Sequence, residues 1–487
     1  MVSSSRRSTP HSGRRRGPGG PRDRSTLRQA TEDLSGSDES DGEAQPGLLL
    51  IFSGSRALWS VLPLAQPDGE LELGRDNLGL LTEDRRISRR HARVEFRDGR
   101  FFACDLGSLN GTTIDGQPAK SGSRHPLLRC LRVGESLLLP VADIRAASKL
   151  GLFVQDGMVI GPRLASLYQR IASLAEKSTT LHITGESGAG KEGAARVFHS
   201  QSPVARGPFI AVNCATIPES IAERLLFGAK RGAFSGAVSD SEGYLQSAHE
   251  GTLFLDEVAE LQASVQAKLL RVLETREVLP VGAVRPQAIK LRVVSASHRS
   301  LQAEVAAGRL REDLYYRIGR PAAQVPPLRE RPEEIPWLIT EELKRQGSRL
   351  SPHVSLIEAC VLRPFPGNVR ELLIETRSAL HEASVAESGR LRGEHLAQTA
   401  GQLREPGLDT PAAAESEPDV AKAAPPNPSP PGAPSGRPSQ AALVAALIAA
   451  NLNLSETARR LRLHRTQLRR YIVYYGIDLE KLRAALP

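Results

Sequence analysis

The sequence predicts a multidomain chain: an all-β domain first, an α/β domain in the middle and an all-α domain at the end. Three observations carry this prediction. Between residues 47 and 145, apolar and polar residues alternate over short segments separated by Asp-Gly turns. Between 155 and 400, short continuous apolar runs alternate with longer helical patterns. From residue 439 onward, after a Pro-rich stretch, the apolar spacing is helical. At roughly 150 residues per domain, 487 residues accommodate three domains.

Residues 1–46 are rich in Ser, Arg, Gly and Asp without apolar periodicity, which predicts a disordered basic tail. In the β domain, Arg97-Asp98-Gly99 and Ile114-Asp115-Gly116 mark turns. Ala92, Val94 and Phe96 share one strand face, and Phe102, Cys104 and Leu106 share another; period two predicts antiparallel strands. In the α/β domain the runs 181–183, 209–212, 253–255 and 291–294 predict buried parallel strands. Residues 401–438, with Pro425-Pro426 and Pro430-Pro431, read as an extended linker. Residues 439–450 predict an Ala/Leu-rich helix. A helix capped by Ser455, a turn at 462–464 and a second helix over 465–475 follow. On that second helix Leu468, Ile472 and Tyr475 share a face, with Arg465, Arg469 and Arg470 turned away. A basic second helix after a tight turn is the helix-turn-helix pattern.

Composition bounds the function. The net charge of +9 and a pI of about 9.6 admit nucleic-acid partners. Four cysteines, Cys104, Cys130, Cys214 and Cys360, stand far apart with no CxxC pair, so neither a zinc site nor a disulfide framework is expected. That usage fits a reducing, cytoplasmic compartment. No apolar run approaches the ~20 residues of a membrane span. The arginines near the start, Arg6, Arg7 and those at 14–16, are not followed by the apolar stretch of a secretory signal.

Gly185, Glu186, Ser187, Gly188, Ala189, Gly190, Lys191 and Glu192 follow the apolar run Leu181-His182-Ile183 and precede a helical pattern over 193–199. That strand–loop–helix context is the signature of a phosphate-binding loop. Its glycines let backbone N–H groups surround the phosphates at a helix N-terminus, and Lys191 adds a positive charge. Glu192 stands where the general pattern has Ser or Thr. A second motif, Gly251 to Glu257, is an apolar strand ending in two carboxylates. Asp256 is placed to bind magnesium and Glu257 to polarise an attacking water as general base. Together they point to binding and hydrolysis of a nucleoside triphosphate with Mg2+, which the family resemblance below makes ATP.

Further motifs follow in order: Leu226-Phe227-Gly228; Gly232-Ala233-Phe234-Ser235-Gly236-Ala237; residues 309–317, RLREDLYYR; Pro327-Leu328-Arg329-Glu330-Arg331; and Pro366-Gly367-Asn368-Val369-Arg370-Glu371-Leu372. With the phosphate loop, the chain over residues 155–390 resembles the AAA+ ATPase domain of NtrC-type bacterial enhancer-binding proteins, the activators of sigma-54 RNA polymerase. The resemblance implies an α-helical lid over about 325–390 and assembly from dimer to hexamer. In that family Glu commonly follows the loop lysine, so Glu192 is no obstacle. The resemblance implies that Asn213 holds Glu257 until ATP is sensed, that His298 lies in the sensor I region, and that Arg311 and Arg317 are arginine fingers entering a neighbouring subunit. It implies a sensor II role for Arg370, and contact of residues 232–237 with the sigma-54 holoenzyme. Ser235 replaces the family's usual Thr. Phe234 is an aromatic on a glycine-flanked loop, a position that suits binding.

Within residues 47–145, Leu73-Gly74-Arg75, Ser88-Arg89-Arg90-His91 and Gly107-Ser108-Leu109-Asn110-Gly111-Thr112 resemble a forkhead-associated (FHA) domain, a phosphothreonine-binding β-sandwich. A phosphothreonine dianion needs a fixed cation and hydroxyl or amide donors. The resemblance assigns these to Arg75, Ser88 and Arg89, and peptide-backbone contact to Asn110. His91 is expected to pack beneath the loop. Leu109 stands where Ser or Thr is frequent. The ligand is then a phosphothreonine protein, or the chain's own phosphorylated tail, in a Ser/Thr kinase pathway. The region 439–487 resembles the Fis-type helix-turn-helix that binds upstream enhancer DNA. Arg465, Thr466, Gln467 and Arg469 are the candidates for base edges, Arg462 and Arg470 for phosphates. Two other readings remain open at this stage: a DNA-bound regulator that ignores sigma-54, and a phosphopeptide adaptor with a vestigial ATPase.

Overall fold

The structure, a computed structural model, describes residues 44–64, 69–82, 84–233, 239–403 and 440–450, with 457, 460 and 461. The first domain is a sandwich of two antiparallel sheets built from β1 (Gly47–Ser53), β2 (Arg56–Pro63), β3 (Glu70–Leu73), β4 (Ala92–Arg97), β5 (Arg100–Asp105), β6 (Thr112–Ile114), β7 (Gln117–Pro118), β8 (Arg124–Leu127), β9 (Leu131–Val133) and β10 (Ser136–Val141). One sheet has the order β2-β1-β10-β9-β6-β7 and the other β3-β4-β5-β8. The sequence's turn signals are used as expected. Asp98 and Asp115 take left-handed φ of 51° and 47°, each followed by a glycine, which is the geometry of a tight hairpin turn.

The expected face of β5 is reversed. Phe101, Ala103 and Asp105 point inward, while Phe102 and Cys104 are only half-buried. The register explains it: Phe96 pairs with Phe101, Val94 with Ala103 and Ala92 with Asp105, so the inward face of β4 fixes that of β5. The buried Asp105 is not wasted on the core. Its carboxylate accepts from the Ser108 and Thr112 hydroxyls and from the backbone N–H of Gly107 and Ser108. Phe102, outside, lies under the Arg124 guanidinium at 3.7 Å.

The central domain has a five-stranded parallel sheet: β11 (Thr180–Thr184), β12 (Phe209–Asn213), β13 (Thr252–Asp256), β14 (Arg292–Ser297) and β15 (Ala322–Gln324), in the order β12-β13-β14-β11-β15. All four apolar runs of the sequence reading are strands. Alternate residues cover the two faces. Leu253, Leu255 and Val293 enter one core. Phe254, Leu181, Ile183 and Val294 enter the other. The elements used below are α1 (Lys191–Ser200), α2 (Glu312–Ile318) and three helices beyond the sheet, α3 (Ile335–Arg345), α4 (Val354–Val361) and α5 (Asn368–Val385).

Those last three helices do not close on the nucleotide domain alone. Leu49, Ile51 and Phe52 of β1, with Leu137 and Leu139 of β10, share one apolar core with Ile335, Ile339, Ile357 and Phe365. Leu48 and Leu50 face the sandwich interior instead. The β1 ladder slips between Leu50 and Phe52, so consecutive residues Ile51 and Phe52 both reach the lid side. Arg132 pairs with Glu358 at 3.3 Å, Arg390 with Glu135 at 3.2 Å, and Arg129 donates to the Leu362 carbonyl at 2.6 Å.

The expected tail, most of the linker and the second helix of the expected helix-turn-helix lie outside the described residues. Near the end, a helix spans Gln440–Ala449, with Leu443 and Leu447 buried. Among the described residues no helix is long and apolar enough to cross a membrane.

Candidate nucleotide and phosphopeptide sites

β11 ends at Thr184, and the chain turns through residues 185–190 into α1. Gly188 has φ 72°, and a Cβ there would lie 2.2 Å from the Gly367 carbonyl oxygen. Only a bare backbone lets the lid approach this closely. Lys191 begins α1, buried, and its Nζ donates to the Gly185 carbonyl at 3.2 Å and to Glu257 Oε1 at 3.3 Å. Glu192 is exposed and pairs with Arg196 one turn on at 2.6 Å.

β13 delivers the carboxylates. Asp256 accepts the backbone N–H of Glu257 at 3.1 Å. Glu257 itself sits at φ 51°, a left-handed conformation that costs a non-glycine residue about 1–3 kcal/mol and clusters at functional sites. Its Oε2 lies 2.7 Å from His298 Nδ1 at the end of β14, and also accepts the His298 backbone N–H at 3.3 Å. Burial pushes Glu257 upward, but the His298 hydrogen bonds and the Lys191 charge hold it below the usual carboxylate range. Burial wins at Asp256, which is raised despite Lys191. Among the described residues no three His, Cys, Asp or Glu cluster around a metal-sized position. One half-buried carboxylate beside a phosphate loop fits magnesium, which keeps water and phosphate oxygens as most of its ligands.

Asn213 ends β12. It lies opposite Asp256 in the β12–β13 register, but its side chain accepts from the Ala215 N–H and caps the following turn. The groups holding Glu257 are His298 and Lys191. The exposed Arg311 caps α2 and pairs with Asp313 at 2.7 Å, and Arg317 donates to the Leu273 carbonyl at 3.0 Å. No described contact joins either to the Lys191–Glu257–His298 group.

The lid reaches the phosphate loop through more residues than the sequence singled out. Arg370 Nη1 donates to Ser187 Oγ at 3.3 Å. Asn368, fully buried, donates to Glu186 Oε2 and to the Ser187 carbonyl, both at 3.0 Å. Arg329 grips Glu186 with two hydrogen bonds of 2.7 and 2.8 Å. Buried Arg331 joins the Ala189 carbonyl to Glu334, each at 2.6 Å. Asn368, Arg329 and Arg331 all lie inside motifs quoted above; the signal was present, without a partner to give it meaning.

Of the expected sigma-54 loop, Gly232 and Ala233 are described, whereas Phe234, Ser235, Gly236 and Ala237 lie outside the described residues. The loop's stems are joined by Lys230 and Asp240 at 2.6 Å, and Asp240 also accepts the Arg231 N–H.

In the sandwich, Arg75, Ser88, Arg89 and Asn110 gather at one end. Arg75 Nε and Nη2 donate to the Ile87 carbonyl at 3.2 and 3.1 Å. Ser88 Oγ accepts the Leu109 N–H at 3.1 Å, and Asn110 Nδ2 donates to the Arg86 carbonyl at 2.8 Å. Arg89 is exposed. His91 is buried as expected, its Nδ1 accepting the Ser88 N–H and its Nε2 bonded to the Gly111 carbonyl. Leu109 is 90% exposed beside them.

Comparison with known proteins agrees. Residues 159–322 match the Sigma-54 interaction domain and residues 71–131 the FHA domain. Both resemblances read from motifs are therefore matched by a family model over these residues. The response regulator protein PilR of Pseudomonas aeruginosa is 45% identical across 224 residues, which cover 45% of this chain and 50% of PilR. The transcriptional regulatory protein GlrR of Escherichia coli is 41% identical across 247 residues, 48% of this chain and 56% of GlrR. The chain therefore spans about half the length of these curated relatives. The crystal structure of NtrX from Brucella abortus aligns at 28% identity and a TM-score of 0.46, covering 64% of this chain and 67% of that one.

Proposed function

We propose that the protein is a sigma-54-dependent transcriptional activator. It hydrolyses ATP in a ring of AAA+ domains, remodels the sigma-54 holoenzyme through residues 232–237, binds upstream DNA through its C-terminal region and takes its signal from a phosphothreonine. The observation that carries this reading is the Lys191–Glu257–His298 cluster beside the phosphate loop, inside a sigma-54 interaction domain. Glu257 is held ionised, which a general base requires. Lys191 is the charge for the phosphates, and Asp256 is the carboxylate that would hold magnesium, whose chemistry when bound is to offset the phosphate charge. His298 aims Glu257, and Arg370 with Arg329 and Asn368 ties the loop to the lid, so that lid position and phosphate occupancy are linked. Arg311 and Arg317 lie away from this cluster, which suits fingers acting on a neighbour's site.

The decisive experiment is open-complex formation by sigma-54 holoenzyme on a promoter carrying the upstream site, with ATP and the phosphorylated partner. The Phe234→Ala chain is expected to hydrolyse ATP and yet open no promoter. Promoter opening by that variant at the native rate would remove residues 232–237 from the mechanism. For the input, Arg75→Ala is expected to abolish phosphothreonine-peptide binding while basal ATP hydrolysis continues. Binding that survived would overturn the ligand assignment.

A further inference from the structure

A cavity of about 600 Å³ opens at the same end of the sandwich as the phosphothreonine loops. That placement follows from register. Ser53 pairs with Ser136 and Thr112 with Val133, so the β1–β2 and β9–β10 turns stand beside the loop carrying Asn110. Four arginines line it, Arg56, Arg85, Arg86 and Arg390, against two carboxylates, Asp84 and Glu135. Asp84 is buried and committed to the Glu135 N–H, the Arg86 N–H and the Ser136 hydroxyl. Glu135 is shared between Arg86 at 3.5 Å and Arg390 at 3.2 Å. Arg390 comes from the lid side, so the cavity straddles both domains. The Arg86 carbonyl is the acceptor for Asn110, which makes the cavity continuous with the phosphothreonine loops.

The chain carries a complementary segment. Before residue 44 there are three threonines, Thr9, Thr26 and Thr31. Only Thr31 is followed by acid: Glu32, Asp33, Asp38, Glu39, Asp41 and Glu43, with no Lys or Arg between 29 and 44. Thr9 precedes Pro-His and Thr26 precedes Leu-Arg. Thr31 lies sixteen Cα–Cα steps before Gly47, a reach of roughly 55 Å when extended. β1 runs only about 20 Å from Gly47 to the loop end of the sandwich.

We propose that the arginine-lined cavity is the extension of the phosphothreonine site, and that its occupant is this chain's own segment 31–43, phosphorylated at Thr31 and bound in cis. The proposal rests on the phosphothreonine reading above and adds the ligand and its flanking specificity. Phosphothreonine occupies the Arg75, Ser88, Arg89 and Asn110 loops, and the acidic residues nearest to it, Glu32, Asp33, Asp38 and Glu39, lie against Arg56, Arg85, Arg86 and Arg390. Because Arg390 and Glu135 join the sandwich to the lid, the bound segment bridges the two domains, and the kinase signal is read where they meet.

The test uses the full chain carrying Thr31→Ala and fluorescent peptides of residues 28–44. The peptide phosphorylated at Thr31 is expected to bind. The same phosphopeptide with its six acids changed to Asn and Gln is expected to bind about tenfold more weakly, the sum that a few exposed ion pairs supply. Arg56→Ser with Arg85→Ser should erase that difference, and the peptide arm stands alone should those variants not fold. Equal affinity for the two phosphopeptides overturns the proposal and leaves phosphothreonine binding intact. Failure of the acidic phosphopeptide to bind also overturns it, and a pool of phosphothreonine peptides with random flanks then reads whether the domain binds phosphothreonine at all. Finally, the full chain with phosphothreonine installed at position 31 is expected to refuse the free peptide at every protein concentration. Uptake equal to that of the Thr31→Ala chain would overturn self-occupancy and assign the site to another protein.

Discussion

Glu257 combines a disfavoured backbone conformation, a hydrogen bond from His298 and an ion pair with Lys191. A merely structural glutamate has no reason to combine the three. Glu257→Gln keeps the shape and removes the base, so it is expected to lower ATP turnover by about 10²–10⁴-fold while leaving nucleotide binding in place; single-turnover hydrolysis and a binding titration read the two separately. A turnover loss below tenfold would move the base elsewhere. His182, at the floor of the sheet, makes a different kind of prediction. It is 4% exposed, its Nδ1 meets Ser295 Oγ at 2.9 Å, and its Nε2 has no hydrogen-bond partner among the described residues. Burial pushes its pKa down to about 4 from the ordinary 6.5. The unfolded chain therefore binds the extra proton between those values, so the stability contributed by the neutral ring is complete above pH 6.5 and is lost as pH falls toward 4. At pH 5 the loss amounts to about 2 kcal/mol. Urea unfolding at pH 7 and pH 5 should show the native chain losing that much more than His182→Gln; parallel losses would refute it. His182 was legible only as part of an apolar run. Its protonation state follows from burial, which periodicity does not report. Lys191, Asp256, Glu257 and Arg370 were legible because their motifs fix them relative to the backbone. Asn213 shows what a motif leaves open: its side chain caps the next turn here, and a cap and a contact to Glu257 call on the same amide.

At the scale of elements, the telling strand is β1. Its residues are buried along their whole length, which an antiparallel strand with one wet face does not require. The run Leu48-Leu49-Leu50-Ile51-Phe52 therefore contained the signal that a second layer covers the sandwich, while the alternation in β4 and β5 announced only the sheet itself. The reversed face of β5 has a related cause: two aromatics in a row, Phe101 and Phe102, satisfy either phase, and the pairing with β4 decides. The covering layer is the lid, and the chain's two tryptophans sit on the elements that meet there, Trp59 on β2 and Trp337 on α3. Phe52 is fully buried in the shared core. Phe52→Ala is expected to cost about 3–5 kcal/mol and to uncouple the two domains. A single unfolding transition in the native chain would then split, with red-shifted tryptophan emission in the first phase. One sharp transition in the variant, at the native emission maximum, would mean that Phe52 supports the sandwich alone.

The whole molecule poses the question of where Arg311 and Arg317 act. Both are exposed on or next to α2, bonded to Asp313 and to the Leu273 carbonyl, and no described contact carries them to the Lys191–Glu257–His298 group. Cations supplied across a subunit boundary make phosphoryl transfer conditional on assembly, because stabilisation of the developing charge is most of the catalysis. Two damaged chains can test this without any knowledge of the ring's size. Lys191→Ala removes the loop's charge and leaves the arginines; Arg317→Ala does the reverse. Each alone is expected to be inactive. In an equal mixture, a working site needs an Arg317→Ala chain to provide the loop and a Lys191→Ala neighbour to provide the arginine. Random assembly gives each condition a chance of one half, so about a quarter of the native ATP turnover should return if the arginine acts in trans. If Arg317 served its own chain's site, no arrangement in the mixture would contain both groups, and turnover would stay at the level of the separate variants. Dilution separates the outcomes further. Turnover rescued by a neighbour falls as the assemblies come apart, and it falls for the native chain at the same concentrations.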